Sequence, residues 1–271
     1  MQYELARWAG EWLSGVTAGG LGGQVRVGRT GARRVAATGW EGGGRTLGLW
    51  PMGVLLLVRH GQASLGTEDY DRLSDIGRRQ AQVTGARLAR TDLVIDRVVS
   101  GGLTRQRDTA QAVLAALGWP ASRLRIDERL DEYDHVEVMA RHTTEVTFST
   151  ATAEGEVGRA LQSTLEEAIG RWISGETGYN ESHAAFIDRV LAATGHLVAE
   201  PGGTVAVTSG GVIAAFCAQA LGLPEERWPS LARLLVNASI TKVISGHTGT
   251  SLVTFNDHAH LETDRALITY R

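Results

Sequence analysis

An apolar run of strand length, Leu55 to Val58, ends at the triplet Arg59-His60-Gly61. Such a run is typical of a buried strand, and a glycine directly after it predicts a turn. The carboxyl end of a buried strand is where an open α/β sheet keeps its ligand crevice. A guanidinium beside an imidazole suits a phosphoryl group at such a place. The arginine can bind the phosphoryl oxygens, and the histidine can attack the phosphorus.

Strands and helices that alternate along residues 52–271 must position this triplet. The predicted strands are Gly53–Arg59, Leu93–Ser100, Leu124–Asp127, Thr204–Thr208, Ile240–Ser245 and Ser251–Asn256. The predicted helices begin at Ser74 or Asp75 and at Leu103, Gly158, Ser182 and Val212, with 228–235 as a further candidate. This alternation predicts an α/β fold, a three-layer α/β/α sandwich around a mostly parallel, doubly wound sheet. Residues 133–157 show no period and are predicted to form a small insertion or lid near the active site.

Residues 1–51 differ in composition from the rest of the chain. They contain 13 of the 34 glycines, four of the seven tryptophans, and six arginines against three glutamates. Sequence rich in glycine and arginine cannot bury enough apolar area to offset the entropy lost on ordering. We predict that 1–51 is an extension that is disordered or lies outside the fold, followed by a catalytic domain at 52–271. An interaction arm that uses the tryptophans is the alternative.

Composition and charge exclude several classes of function. The net charge of −3 argues against a nucleic-acid partner, because nucleic-acid-binding proteins carry basic surfaces. Lys242 is the single lysine and follows no glycine-rich loop, so a Walker A phosphate-binding loop is excluded. No apolar window approaches the roughly 18 residues that a membrane span requires, so no membrane partner is expected. With Cys217 as the single cysteine and no signal-peptide pattern, we expect a cytoplasmic location.

Short motifs follow one another in order along residues 52–271. They are Leu57-Val58-Arg59-His60-Gly61, Leu73-Ser74-x-x-Gly77-x-x-Gln80-Ala81, Ser100-x-x-Leu103-x-Arg105-x-x-x-Thr109-Ala110, Leu130-x-Glu132, Glu181-Ser182 with Phe186 and Arg189-Val190, Val207-x-x-Gly210-Gly211, and Asn256-Asp257-x-x-His260-Leu261. Each motif alone is a weak signal. As an ordered set they resemble the histidine phosphatase superfamily, which is also called the phosphoglycerate mutase-like family.

The resemblance implies a metal-independent phosphatase that hydrolyses a small phosphomonoester through a phosphohistidine on His60. Arg59 and Arg105 are implied to neutralise the phosphoryl oxygens in a transition state that spreads charge over three of them. Glu132 is implied to protonate the leaving oxygen and then to activate water. The expected partner is a small phosphorylated substrate. No metal or other cofactor is expected, because the arginines supply the positive charge.

Position 209 departs from the pattern of the family. The family usually has a second histidine before its two glycines, whereas this chain has Ser209 before Gly210 and Gly211. A serine hydroxyl can donate one hydrogen bond to a phosphate oxygen, and the turn that follows offers backbone N–H groups to an anion. We therefore predict Ser209 and Gly210 as phosphate ligands. Losing one preorganised donor typically costs on the order of 10²–10³ in rate. Three other histidines are candidates to compensate for it: His135, His142 and His183.

Three other interpretations stay open at this point. A phosphoglycerate mutase-type phosphotransferase is the nearest, although residues 65–70 lack the Asn and Gly-Trp that mutases have after the triplet. Ser209 also allows a weakly active or non-catalytic phosphoester-binding protein. The third interpretation makes Ser209 the nucleophile of an α/β-hydrolase, whose elbow requires glycine at position 207, where this chain has Val207. Nothing in the sequence predicts an oligomeric state.

Overall fold

The computed structural model describes residues 52–64, 71–142, 154–247 and 249–270, and for 154–163 it describes the backbone alone. The described strands are β1 (Gly53–Arg59), β2 (Ile95–Ser100), β3 (Leu124–Ile126), β4 (Gly202–Thr208), β5 (Ile240–Gly246) and β6 (Gly249–Asp257). The described α-helices are α1 (Asp75–Ala89), α2 (Thr104–Ala116), α3 (His135–His142), α4 (Glu154–Ile173), α5 (His183–Ala199), α6 (Gly210–Ala220) and α7 (Trp228–Leu234). The predicted extension at 1–51 lies outside the described residues.

The six strands form one sheet in the order β3-β2-β4-β1-β5-β6. β1 runs parallel to β4, and β2 runs parallel to both β3 and β4. β5 is antiparallel to its neighbours β1 and β6. The prediction of a mostly parallel sheet is confirmed. Because β1 and β4 are adjacent and parallel, with Arg59 opposite Thr208, the residues that follow them emerge at the same edge of the sheet.

Alternate residues of β1 enter two different hydrophobic cores. Leu55 and Leu57 belong to a core built from buried residues of α4, α5, α6 and α7. Leu56 and Val58 belong to a second core with buried residues of α1 and α2. Because side chains alternate across a strand, the two cores lie on opposite faces of the sheet. This arrangement confirms the three-layer α/β/α architecture. Among the described helices, none combines the length and the hydropathy needed to cross a membrane.

Regular structure occupies both ends of the stretch predicted to be an unpatterned insertion, 133–157. Residues His135–His142 form α3, and α4 begins at Glu154. Asp134 starts α3, because its Oδ1 accepts hydrogen bonds from the backbone N–H groups two and three residues later. An eight-residue helix with one buried residue, Val138, is too short to show a period in the sequence. Residues 143–153 lie outside the described residues.

We expect Phe186→Ala to destabilise the fold by about 3–5 kcal/mol, since it removes a large side chain from a packed core. Phe186 is fully buried, and its ring centroid lies 5.6 Å from that of Trp172 and 5.8 Å from that of Trp228. Urea unfolding measures the loss. Val94→Ala is the control, because Val94 is 73% exposed; its free energy of unfolding should stay within about 0.5 kcal/mol of wild type. Equal stability of the two variants would contradict the placement of Phe186.

Candidate active site

His60 is fixed at the carboxyl edge of the sheet by its own backbone. Its N–H donates to the carbonyl of Thr208 at 2.8 Å, and its carbonyl accepts from the N–H of Ala238 at 3.2 Å. The imidazole Nδ1 lies 2.6 Å from the carbonyl oxygen of Gly61. Because a carbonyl oxygen only accepts, Nδ1 carries the proton and Nε2 holds the lone pair. The fold therefore selects the tautomer in which Nε2, and not Nδ1, has the lone pair that a nucleophile needs.

Arg105, in the first turn of α2, lies against the other nitrogen of this imidazole. Its Nε donates to Nε2 of His60 at 3.2 Å, and both side chains are buried. Burial holds the pKa of His60 well below its ordinary value of 6.5, and the charges of Arg105 and Arg59 lower it further. The hydrogen bond to Gly61 acts in the opposite direction but is the smallest of these effects. The imidazole is neutral at neutral pH, as a nucleophile must be.

Arg59 is the last residue of β1, and its guanidinium is held by the backbone. It donates to the carbonyl oxygen of Leu235, and its Nη2 donates to that of Tyr270 at 3.2 Å. Gly210, the first residue of α6, lies beside the same group, since a Cβ added there would be 3.4 Å from Nε of Arg59. The structure thus brings together the arginine and the glycine that were both predicted as phosphate ligands.

Glu132 points at the start of α6. Its Oε2 accepts from the N–H of Gly211 at 2.9 Å, and its Oε1 accepts from the N–H of Tyr133 at 3.3 Å. Burial raises the pKa of Glu132, while the Gly211 N–H and the charges of Arg105 and Arg59 oppose that rise. The same two guanidinium charges therefore act on Glu132 and on His60. A neutral imidazole and a carboxyl of raised pKa, both acted on by the same two arginines, are suited to serve as a nucleophile and a general acid.

A partly buried ion pair holds the backbone that leads to Glu132. Arg189 of α5 forms a two-pronged pair with Glu181, at 2.5 and 2.8 Å. Its Nη1 also donates to the backbone carbonyls of Arg129 and Asp131, at 2.9 and 2.7 Å. These contacts fix the backbone on the amino-terminal side of Glu132. They give a physical reason for the Glu181 and Arg189 positions that the sequence motif contains.

Ser209 is fully buried between β4 and α6. Its Oγ accepts a hydrogen bond from Nε2 of Gln106 at 2.9 Å, and the same Nε2 donates to the carbonyl of Leu130 at 3.2 Å. A hydroxyl that accepts in this way keeps its own hydrogen for donation. The structure ties Ser209 to α2 and to the Glu132 loop, and its role as a phosphate ligand stays a prediction.

Of the three histidines considered as substitutes at position 209, His135 is affected by the charge of Arg105. His135 begins α3, and its pKa is lowered by burial and next by the charge of Arg105. His142 faces Glu167, with Nε2 3.5 Å from the carboxylate. His183 packs edge-on against aromatic rings of the first core.

Sequence reasoning missed three side chains that shape this site: Asp71, Gln106 and Asp131. Asp131 accepts backbone hydrogen bonds from Gly102 and Leu103, at 2.6 and 3.3 Å, and so forms the turn that leads into α2. Asp71 contacts Arg105, and Gln106 contacts Ser209. All three act on partners far away in the sequence, so no local spacing could have identified them.

If Glu132 has the role that the motif implies, Gly211→Ala should lower kcat by about 10²-fold, the typical effect of a misplaced catalytic group. A Cβ at Gly211 would lie 2.1 Å from Oε1 of Glu132, so the carboxyl group must move. Alanine favours a helix, so the fold should not lose stability through propensity. Gly195→Ala in α5 is the control, because its Cβ would meet nothing within 4 Å. Steady-state assays measure kcat and thermal melts measure stability. Full activity of the Gly211→Ala variant would contradict the described contact.

No group of three or more His, Cys, Asp or Glu side chains is arranged to hold a metal ion among the residues that the structure describes. The fixed positive charge that acts on His60 and Glu132 comes from Arg59 and Arg105. These two arginines are groups suited to bind an anionic substrate.

Comparison with known proteins assigns the chain to a family. Residues 55–258 match the histidine phosphatase superfamily (branch 1). The chain is 33% identical over 210 residues to a glucosyl-3-phosphoglycerate phosphatase of Mycolicibacterium vanbaalenii, covering 72% of this chain and 84% of that protein. The structure of a mycobacterial glucosyl-3-phosphoglycerate phosphatase is similar, with a TM-score of 0.51 and 25% identity over 76% of this chain and all of the other. Bacillus stearothermophilus YhfR shares the fold, with a TM-score of 0.56 and 19% identity over 77% of this chain and 98% of the other.

Proposed function

The chain belongs to the histidine phosphatase superfamily, and we propose that it hydrolyses a small phosphomonoester through a phosphohistidine on His60. One observation carries the proposal. The hydrogen bond to Gly61 fixes the proton of His60 on Nδ1, and Nε2 lies 3.2 Å from the Arg105 guanidinium, beside which an anionic phosphoryl group would bind. The identity of 33% to a phosphatase supports the reaction type.

In the first step, the Nε2 lone pair of His60 gives up its hydrogen bond from Nε of Arg105 and attacks phosphorus, so that a nitrogen–phosphorus bond forms. The bond between phosphorus and the alcohol oxygen breaks, and Glu132 gives its proton to that oxygen as the alcohol leaves. The phosphorylated ring keeps its Nδ1 proton and is cationic, so the carbonyl dipole of Gly61 stabilises it. Arg59 and Arg105 neutralise charge on the equatorial phosphoryl oxygens.

In the second step, water replaces the alcohol. Glu132, now a carboxylate, takes a proton from the water while the water oxygen attacks phosphorus. The nitrogen–phosphorus bond breaks, inorganic phosphate leaves, and His60 returns to the neutral form with the proton on Nδ1. Glu132 ends the cycle protonated, so the enzyme recovers its starting state without a metal or another cofactor.

The pH profile of kcat/KM should follow the displaced pKa values of these two groups. The nucleophile works as neutral His60, whose pKa is lowered, so activity persists at acidic pH where an ordinary imidazole is already protonated. The acid works as protonated Glu132, whose pKa is raised, so kcat/KM falls as the pH rises through that pKa. We expect an acidic optimum in steady-state assays, and a loss of the alkaline limb in Glu132→Gln. An acidic limb at the pKa of free imidazole would contradict the described environment of His60.

A panel of phosphomonoesters tests the proposal, with inorganic phosphate release as the readout. Glucosyl-3-phosphoglycerate heads the panel because a relative at 33% identity carries the name of a phosphatase for it. 3-Phosphoglycerate and 4-nitrophenyl phosphate complete it, as a smaller relative of that compound and a generic ester. Hydrolysis of at least one ester is the expected result. Binding of the esters without turnover would contradict the proposal and favour a phosphoester-binding protein.

A further inference from the structure

The carboxylate of Asp71 contacts both of the first two residues of α2. Its Oδ1 lies 2.6 Å from Nη1 of Arg105, and its Oδ2 accepts from the backbone N–H of Thr104 at 2.7 Å. The side chain of Arg105 is 8% exposed and that of Asp71 is 34% exposed. Because solvent reaches little of Arg105 and only part of Asp71, this ion pair is not a solvated surface pair. Its geometry can therefore influence the orientation of neighbouring groups.

We propose that Asp71 is a positioning residue for phosphoryl transfer, acting through the orientation of Arg105; this inference rests on the proposed function. Two nitrogens of the Arg105 guanidinium have fixed partners, with Nη1 on Asp71 and Nε on Nε2 of His60. Because the guanidinium is planar and rigid, contacts at two of its nitrogens restrict the rotation of the whole group. The plane that Asp71 selects aligns Arg105 with the nucleophilic atom.

The carboxylate of Asp71 has an anchor that does not depend on Arg105. Leu103 precedes α2 and offers no side-chain cap, so the N–H of Thr104 needs an acceptor from elsewhere. Asp71 supplies it, and the helix N-terminus favours the negative charge. Asp71 is thereby fixed to the helix that carries Arg105, and arginine and carboxylate are held as one unit.

Charge is the second consequence of the contact. A carboxylate next to Arg105 offsets part of the positive charge that faces the phosphoryl group. Removing it should leave the site at least as attractive to anions, while Arg105 loses its orientation. Turnover and anion binding should therefore respond differently, which a general loss of folded protein would not produce.

A double-mutant cycle on the full chain tests this role, with wild type, Asp71→Asn, Arg105→Ala and the double variant. We expect Asp71→Asn alone to lower kcat by about 10²-fold with KM within about threefold, as for a misaligned transition-state contact. In the Arg105→Ala background the same change should cost less than about threefold, because its partner is already absent. The effect of Asp71→Asn on the hydrogen bond to the Thr104 N–H is common to both backgrounds, so it cancels from the coupling between Asp71 and Arg105.

Asp75→Asn is the matched control, because Asp75 forms an ion pair with Arg78 on the exposed surface of α1. It should keep wild-type kcat and KM. An equal loss on Asp71→Asn in both backgrounds, or no loss in either, would overturn the proposal.

If wild type hydrolyses no ester, the proposed function fails but Asp71 can still be tested. The same cycle is then measured by calorimetry with inorganic phosphate. Asp71→Asn should tighten phosphate binding more in wild type than in the Arg105→Ala background, where only the loss of the negative charge remains. An equal effect in both backgrounds, or no effect in either, would overturn the link between Asp71 and Arg105.

Discussion

His60→Ala should abolish phosphomonoesterase activity, with kcat/KM reduced on the order of 10⁴–10⁶-fold, the scale seen when a nucleophile is removed. The variant keeps both arginines and Glu132, so it should still bind phosphate esters. Its fold should persist, because the backbone of residue 60, and not its side chain, makes the bonds to Thr208 and Ala238. Initial rates on the most reactive ester of the panel, beside a thermal melt, measure the effect.

His196→Ala is the control for this prediction. His196 lies on α5, its side chain is 62% exposed, and it pairs with Glu200. This variant should retain wild-type rates. A His60→Ala protein with more than a few per cent of wild-type activity would exclude His60 as the nucleophile. Activity that is lost instead on Ser209→Ala would favour the serine as the reacting group.

Glu132→Gln is expected to slow turnover by about 10²–10⁴-fold, the contribution typical of a general acid and base. The two steps should respond differently to the choice of ester. With 4-nitrophenyl phosphate the leaving oxygen needs little protonation, so the first step should stay fast while attack by water is slow. Rapid mixing should then show a burst of nitrophenol close to one equivalent of enzyme, followed by a slow steady rate.

Glu128→Gln is the control for Glu132→Gln, because Glu128 is a glutamate four residues earlier in the chain and is exposed. It should leave both the burst and the steady rate as in wild type. If Glu132→Gln slows the burst and the steady rate equally with the nitrophenyl ester, Glu132 does not act as the base for water. If it slows neither, the carboxylate has no part in the chemistry.

The order of secondary structure could be predicted from the sequence because hydrophobic period and turn residues are local signals. The predicted first strand, Gly53–Arg59, matches β1 at both ends. Ser74, one of the two predicted caps, begins α1 by accepting the N–H of Gly77 at 3.0 Å. The short helix α3 escaped prediction, since its start depends on the Asp134 side chain and its burial on one residue, Val138.

The candidate site could be predicted only in part. The motifs identified His60, Arg105 and Glu132, but they do not contain the tautomer of His60, which depends on a 2.6 Å contact with the Gly61 carbonyl. They also do not contain Asp71, whose bond to Arg105 spans 34 residues of sequence. Such contacts arise when the carboxyl ends of β1, β2 and β4 meet at one edge of the sheet, and only the folded chain shows them.

Trapping and mapping the phosphoenzyme is the most direct test of the central claim. Glu132→Gln is mixed with phosphorus-labelled ester, quenched in alkali to preserve a phosphoramidate, and the labelled peptide is sequenced by mass spectrometry. We expect one acid-labile phosphoryl group on Nε2 of His60, formed as fast as the alcohol is released and absent in His60→Ala. A phosphoryl group on Ser209, or release of alcohol with no labelled protein at any time, would contradict it.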